Sequence, residues 1–230
     1  MSRCLWCQGT VDMPMTFSQL FFEKPSEKRL CRLCNGLLAA VADSALKCAR
    51  CCKISDKAQC EDCQNWQERY PDYPFMHKSL FYYNAFARDY MEKYKIMGDC
   101  ELSLLFADEL KGYFRPVLEH SVLVPIPITE QSQAARGFNQ VELLLESAGL
   151  PYVKALNNVG EGEKQARKNR RERLRMTQPF TLEYPAVSRL EGASVILVDD
   201  LYTTGRTLFH AADALKSALP GRIQTFSLFR

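Results

Sequence analysis

Hydrophobic spacing changes character part-way along this 230-residue chain. From Ser79 onward apolar and aromatic positions recur regularly: Ser79 to Tyr83 reads as a strand, and Ala85 to Met97 as a helix with Phe86, Tyr90, Lys93 and Tyr94 on related turns. Leu102, Leu105, Phe106, Glu109, Leu110 and Tyr113 repeat at helical spacing until Arg115-Pro116 closes the segment. Ser121 to Pro127 (S-V-L-V-P-I-P) predicts a short buried strand, Phe138 to Ala148 a helix, and Tyr152 to Leu156 a further strand. Gly160 to Thr177 is polar and basic, and reads as a loop. Ala193 to Asp200 (A-S-V-I-L-V-D-D) is the clearest buried strand, followed by a helix over Thr207 to Leu219 and a strand over Arg222 to Phe229. Strands alternating with helices predict an α/β fold, a mostly parallel sheet flanked by helices on both faces.

The first 70 residues lack that periodicity and offer few large apolar groups, so they need cross-links to hold a fold. Two prolines in Tyr70-Pro71-Asp72-Tyr73-Pro74 mark a boundary, which divides the chain into a domain at 1–70 and a second at 76–230. Nine of the ten cysteines lie between Cys4 and Cys63. They include four C-x-x-C pairs: Cys4/Cys7, Cys31/Cys34, Cys48/Cys51 and Cys60/Cys63. Each tight turn aims two soft thiolates at one ion, and two turns complete a tetrahedral zinc site, so two zinc ions are expected. The simplest pairing joins the first two pairs and the last two, like a double zinc ribbon; interleaved pairing is the alternative. Disulfides would suit an exported protein, and a redox C-x-x-C usually occurs singly. Cys52, next to Cys51, is an alternative ligand, and Cys100 is expected to be a small buried apolar residue.

Hydrophobic residues make up 47% and charged residues 25%, the usage of a soluble globular protein. Met1 to Val11 has no apolar run, and nowhere does the chain reach the roughly 18 apolar residues of a membrane span. A cytoplasmic protein without membrane insertion is expected. The net charge of +3 is too small to make the whole molecule a nucleic-acid partner, so such binding needs a local patch. Lys164, Arg167, Lys168, Arg170, Arg171, Arg173 and Arg175, against the single acid Glu172, form one. They are the candidate surface for single-stranded DNA, with a merely solvated loop as the bland reading. Trp6, Tyr70, Tyr73 and Phe75 are candidates for base stacking, although such residues more often pack.

Val195 to Thr207 reads V-I-L-V-D-D-L-Y-T-T-G-R-T. A strand buried on both faces delivers Asp199 and Asp200 to the carboxyl edge of the sheet, where open parallel sheets bind ligands. Thr203, Thr204, Gly205, Arg206 and Thr207 then turn into a helix whose free amides and dipole suit a phosphate, with hydroxyl donors beside them. A nucleoside triphosphatase also ends a strand in acids, but its G-x-x-x-x-G-K-[ST] companion is missing. A capped helix without ligand is the structural alternative.

The 13-residue stretch resembles the phosphoribosyl-pyrophosphate motif of type I phosphoribosyltransferases. That resemblance implies that Asp199 and Asp200 take the ribose hydroxyls, with magnesium nearby, and that Tyr202 to Thr207 hold the 5-phosphate. Beside it stand Arg136-Gly137-Phe138-Asn139-Gln140 and Lys168-Asn169-Arg170-Arg171-Glu172-Arg173-Leu174. With the cysteine knuckles and a lysine-tyrosine-lysine segment before Gly98-Asp99, their order is similar to the ComF family over nearly the whole chain. The resemblance implies a small zinc-ribbon module on a type I phosphoribosyltransferase-like domain. It also implies a role in handling internalised single-stranded DNA during competence, with a ComFA-type DNA helicase-translocase as partner and a phosphoribosyl-pyrophosphate-like ligand. The alternative is an active phosphoribosyltransferase whose acceptor base is unnamed, with a hood around Gln178 to Tyr184. One departure is visible: Val124 to Gln133 has no lysine or arginine to grip pyrophosphate, which leaves Arg136 as the candidate.

Overall fold

The computed structural model describes residues 3–11, 29–42, 44, 46–71, 76–160 and 178–230. Among the described residues the cysteine-rich segment holds two helices, α1 (Arg32–Asn35) and α2 (Glu61–Arg69). Strand β1 (His77–Phe81) leads into α3 (Ala85–Met91), which Asn84 caps by accepting the Ala87 amide. The helix continues as a π turn (Glu92–Ile96), then a 3-10 segment (Cys100–Phe106) and α4 (Ala107–Phe114). Strand β2 (Ser121–Pro125), α5 (Glu130–Arg136) and α6 (Gln140–Ser147) follow. Strands β3 (Leu156–Asn158) and β4 (Phe180–Leu182) form a small antiparallel pair. After α7 (Val187–Leu190) come β5 (Ser194–Leu201), α8 (Arg206–Leu215) and β6 (Arg222–Phe229).

The main sheet is parallel throughout, in the order β1-β6-β5-β2. Its two central strands are β6 and β5, with β5 in register through Val124↔Leu197 and Val198↔Phe226. The apolar run of β5 is explained by burial on both faces: Ile196 and Val198 enter one core, Val195 and Leu197 the other. The first core is aromatic, with Tyr90, Tyr94, Phe106 and Phe114 from the helical stretch packed on Phe226 and Phe229. The second gathers Leu208, Phe209, Ala212 and Leu215 of α8 with Leu156 and Phe180 of the small pair.

The cysteine-rich segment straddles the edge of this sheet. Its first half packs into the aromatic core, where Trp6 lies 4.6 Å from Phe86, and its second half packs into the α8 core. Between the halves, Tyr82 donates to the Ala39 carbonyl and Val41 to the Leu80 carbonyl, each at 2.8 Å. Edge strand β1 is thereby covered on its free side.

Several expectations shift in detail. The helix expected over 85–97 ends in a π turn, and the one expected over 102–113 starts as 3-10. The expected strand at 152–156 is irregular until Leu156, because Tyr152 and Lys154 turn to Glu146 and Glu142 of α6. Helix α5 went unpredicted because E-Q-S-Q-A-A-R buries none of its residues and so carries no apolar period. Cys100 is exposed rather than buried. No helix among the described residues is long and apolar enough to cross a membrane.

Phe106 stands 5.0 Å from Tyr90, 5.4 Å from Phe81 and 5.5 Å from Phe229, ring centre to ring centre. Phe106→Ala should therefore cost about 3–5 kcal/mol of stability, read as a lower denaturant midpoint.

Candidate ligand site and metal centres

The eight paired cysteines form two tetrads in sequence order: Cys4, Cys7, Cys31, Cys34 and Cys48, Cys51, Cys60, Cys63, with all sulfurs of each within 4.8 Å of one another. The Sγ atoms of Cys7 and Cys31 are 3.7 Å apart, those of Cys48 and Cys63 3.8 Å, and those of Cys51 and Cys60 3.6 Å. Four sulfurs at about 2.3 Å from one ion stand about 3.8 Å apart, whereas a disulfide needs about 2 Å. All ten cysteines are free thiols, so donor type, number and spacing fit zinc, and interleaved pairing is excluded. Cys52 stands outside the tetrad, with its thiol 3.4 Å from the His77 carbonyl.

The acid pair sits where β5 leaves the sheet. Alternation along the strand sends adjacent side chains to opposite sides. Asp200 lies on the aromatic side, where both its oxygens meet Lys95 Nζ, at 2.8 and 2.7 Å. Asp199 accepts the Asp200 amide at 2.9 Å. Burial, and then the negative charge of Asp200, push the Asp199 carboxyl up to about 7, against the opposing pull of Lys95.

The following loop exposes Thr203, Thr204 and Thr207, while Gly205 is buried at the start of α8. Gly205 has φ +80°, and a Cβ there would run into the Tyr202 ring, so both backbone and space demand glycine. Tyr202 itself is only 2% exposed. Its amide donates to the Phe229 carbonyl, its ring lies against His77, and the Arg230 guanidinium stands 4.4 Å above it. Tyr202 therefore supports the loop from beneath. His77 is buried among the hydroxyls of Ser79, Thr225 and Ser227, and burial holds its imidazole well below the usual range, so it is neutral. Arg206 Nε bonds His210 Nε2 at 3.2 Å.

R-G-F-N-Q proves to be a junction between helices. Gly137, at φ +85°, ends α5, and Asn139 caps α6 by accepting the Val141 amide while donating to the Ile126 carbonyl. Arg136 bonds the Gln140 side chain, and the Gln140 carbonyl accepts the Tyr94 hydroxyl at 2.8 Å. One π turn thus fans three consecutive side chains to three places: Lys93 over the Trp6 ring at 4.1 Å, Tyr94 to Gln140, and Lys95 to Asp200. Sequence reasoning noted Lys95 within the lysine-tyrosine-lysine segment but assigned it no partner; the further signal was the missing cation at Val124 to Gln133 beside an otherwise complete motif.

Within the segment expected around Gln178 to Tyr184, Phe180–Leu182 forms β4 paired with β3, and Asn158 fastens this pair to the loop after β2 by donating to the Pro127 carbonyl at 3.2 Å. Beneath it lies a cavity of about 600 Å³ lined by Pro127, Glu130, Glu142, Lys154, Asn157 and Glu183. It does not reach Asp199 or Asp200. Trp6 and Tyr70 are packing residues, the latter 5.5 Å from Phe209. Tyr73, Phe75 and the basic cluster Lys164, Arg167, Lys168, Arg170, Arg171, Arg173 and Arg175 lie outside the described residues.

A parallel sheet that ends in buried acids and turns through T-T-G-x-T into a helix defines a phosphoribosyltransferase-type domain, and residues 161–230 match the phosphoribosyl transferase domain family. Over the whole chain the likeness is narrower. It is 32% identical over 228 residues to competence protein ComFC of Streptococcus pneumoniae, covering 99% of this chain and 100% of that one. It is 33% identical over 233 residues to competence protein ComFC of Bacillus subtilis, covering 99% and 94%. The chain belongs to the ComFC family of competence proteins. Among solved structures, a hypoxanthine-guanine phosphoribosyltransferase of Bacillus anthracis matches at TM-score 0.34 and 14% identity, over 55% of this chain and 68% of that one.

Metal analysis of the purified protein should give two zinc ions per chain; one or none would contradict the two tetrads. Cys52→Ser should leave that count unchanged, since Cys52 is not in either tetrad.

Proposed function

We propose that this protein is a cytoplasmic competence factor that binds a phosphoribosyl-pyrophosphate-like ligand and handles single-stranded DNA with a ComFA-type helicase-translocase. The observation that carries the ligand half is the acid pair joined directly to the T-T-G-x-T loop, with Lys95 facing Asp200. Asp199 and Asp200 accept the ribose hydroxyls, and Thr203, Thr204, Gly205, Arg206 and Thr207, with the free amides of α8, take the 5-phosphate. Tyr202 braces that loop. Magnesium beside the acids would neutralise the pyrophosphate, and Lys95 and Arg136 add the cationic charge that Val124 to Gln133 lacks. Residues 1–70 form the zinc-binding module and 76–230 the ligand domain. The DNA half rests on family membership and on the basic cluster at Lys164 to Arg175.

A second reading, active phosphoribosyl transfer, is favoured by the β3–β4 hood, the element that would read an acceptor base. Release of pyrophosphate on incubation with candidate bases would establish it.

Calorimetry with magnesium and phosphoribosyl pyrophosphate tests the ligand assignment. Asp199→Ala with Asp200→Ala should weaken binding at least tenfold, and Gly205→Val should abolish it; unchanged affinity in both would refute the site. The raised Asp199 carboxyl gives a pH signature. Below about 7 the folded protein holds a proton that the ionised, ligand-binding form must lose, so affinity should rise with pH up to about 7 and level off above it. Asp199→Asn should remove that component, leaving only the titration of the ligand's own phosphate.

DNA binding should fall with salt at a log–log slope of roughly −0.7 per phosphate contact. Replacing Arg170, Arg171 and Arg173 together by alanine should flatten the slope by about 2 and weaken binding equally for all sequences. Affinity that survives this change would move the DNA surface elsewhere.

A further inference from the structure

The second cysteine tetrad and the phosphate loop touch through two side chains that the reading so far leaves without a role. Arg230, just after β6, donates from Nε to the Cys51 carbonyl at 2.7 Å and from Nη2 to the Cys51 sulfur at 3.2 Å. Its Nη1 reaches the carbonyls of Tyr202 and Thr203, each at 3.3 Å. Trp66 donates from its indole to the Thr204 carbonyl at 2.7 Å, and its ring stacks on Phe209 of α8 at 4.1 Å. Trp66 stands on α2, whose N-cap is Cys60 and whose first turn holds Cys63, so two metal ligands set the direction of the helix that carries it.

Three successive carbonyls of the loop are therefore held on the side that faces the metal module, two by Arg230, which is itself seated on Cys51, and one by Trp66 of the module. In a trans peptide the carbonyl of one residue and the amide of the next point opposite ways. Holding the carbonyls of Tyr202, Thr203 and Thr204 toward the module turns the amides of Thr203, Thr204 and Gly205 away from it. Among the described residues none of these three amides has a hydrogen-bond partner. Successive amides aimed the same way make an anion-binding nest, and this one adjoins the start of α8.

We propose that Arg230 and Trp66 are positioning residues that link the second cysteine centre to the phosphate loop, so that metal at the centre and a phosphate ligand on the loop each strengthen the other's binding. The inference rests on the ligand reading above and adds its regulation. Without an ion only packing and turn hydrogen bonds hold Cys51, Cys60 and Cys63 at their spacing, so the direction of α2 and the seat of Arg230 loosen together. The amides then have no reason to converge. Linkage is reciprocal: whatever factor the metal adds to ligand affinity, the ligand adds to metal affinity, typically about 5- to 150-fold. The first tetrad packs into the aromatic core on the other side of the sheet and serves as an internal control.

The test is release of zinc from the full chain to a coloured chelator, with and without ribose 5-phosphate, beside calorimetry of ribose 5-phosphate binding. In the native protein the ligand should slow release of one zinc about tenfold and leave the other unchanged. Arg230→Ala should still bind two zinc ions, bind ribose 5-phosphate about tenfold more weakly, and lose the ligand's effect on zinc release. Arg230→Lys should not restore it, because one ammonium cannot span Cys51 and two carbonyls. Trp66→Phe, which keeps the stacking ring and removes one donor, should give a partial loss, and it carries the test if Arg230→Ala does not fold. If ribose 5-phosphate binds every variant equally and slows neither zinc, the linkage is overturned while the ligand site stands. If it does not bind the native protein at all, the ligand reading falls and the linkage with it.

Discussion

Burying two adjacent carboxylates at the end of an apolar strand is the constraint around which the domain is arranged. Asp200 is 2% exposed, and a carboxylate taken from water into such a place is costly unless it meets a cation. Lys95 supplies it from a segment 105 residues earlier, and is held there by the π turn. That turn is anchored on both sides, by Lys93 on Trp6 and by Tyr94 on Gln140. Satisfying one buried charge thus draws together a cysteine knuckle, the junction of α5 and α6, and the end of β5.

The cysteine module answers a second need. Strand β1 would otherwise present an open edge, and the chain around Ala39 to Val41 closes it. With one tetrad on each side of the sheet, the module behaves as a clip over that edge. Its own large apolar groups are few, and the two cysteine tetrads are placed where metal would supply the missing cross-links. The module also meets the domain's loop, where Trp66 bonds Thr204 and Arg230, seated on Cys51, bonds Tyr202 and Thr203.

How much of this was legible in the sequence follows the range of the interactions. Strand β5 announced itself because burial on both faces leaves an unbroken apolar run, and the cysteine pairs did so because two-residue spacing has few other uses. Helix α5 was illegible because it buries nothing, and the irregular 151–155 stretch because α6 claims the side chains of Tyr152 and Lys154. R-G-F-N-Q looked chemical, yet its glycine and asparagine do the work of helix caps. Arg230 could not be placed at all, and Lys95 stood only within the lysine-tyrosine-lysine segment, with no partner assigned. Their partners lie far away in the chain, and a lone cation carries no periodic signal.

The position of β6 has a consequence for how the protein comes to exist. Strand β1 has β6 as its sheet neighbour, and His77 meets Thr225 across 148 residues of chain. During synthesis the cysteine module emerges first, but the sheet edge it clips cannot be complete until β6, the latest of the strands among the described residues, has left the ribosome. Such long-range closure makes folding slow and leaves early surfaces exposed. All eight paired thiols are synthesised well before that closure, while β1 still lacks its sheet neighbour.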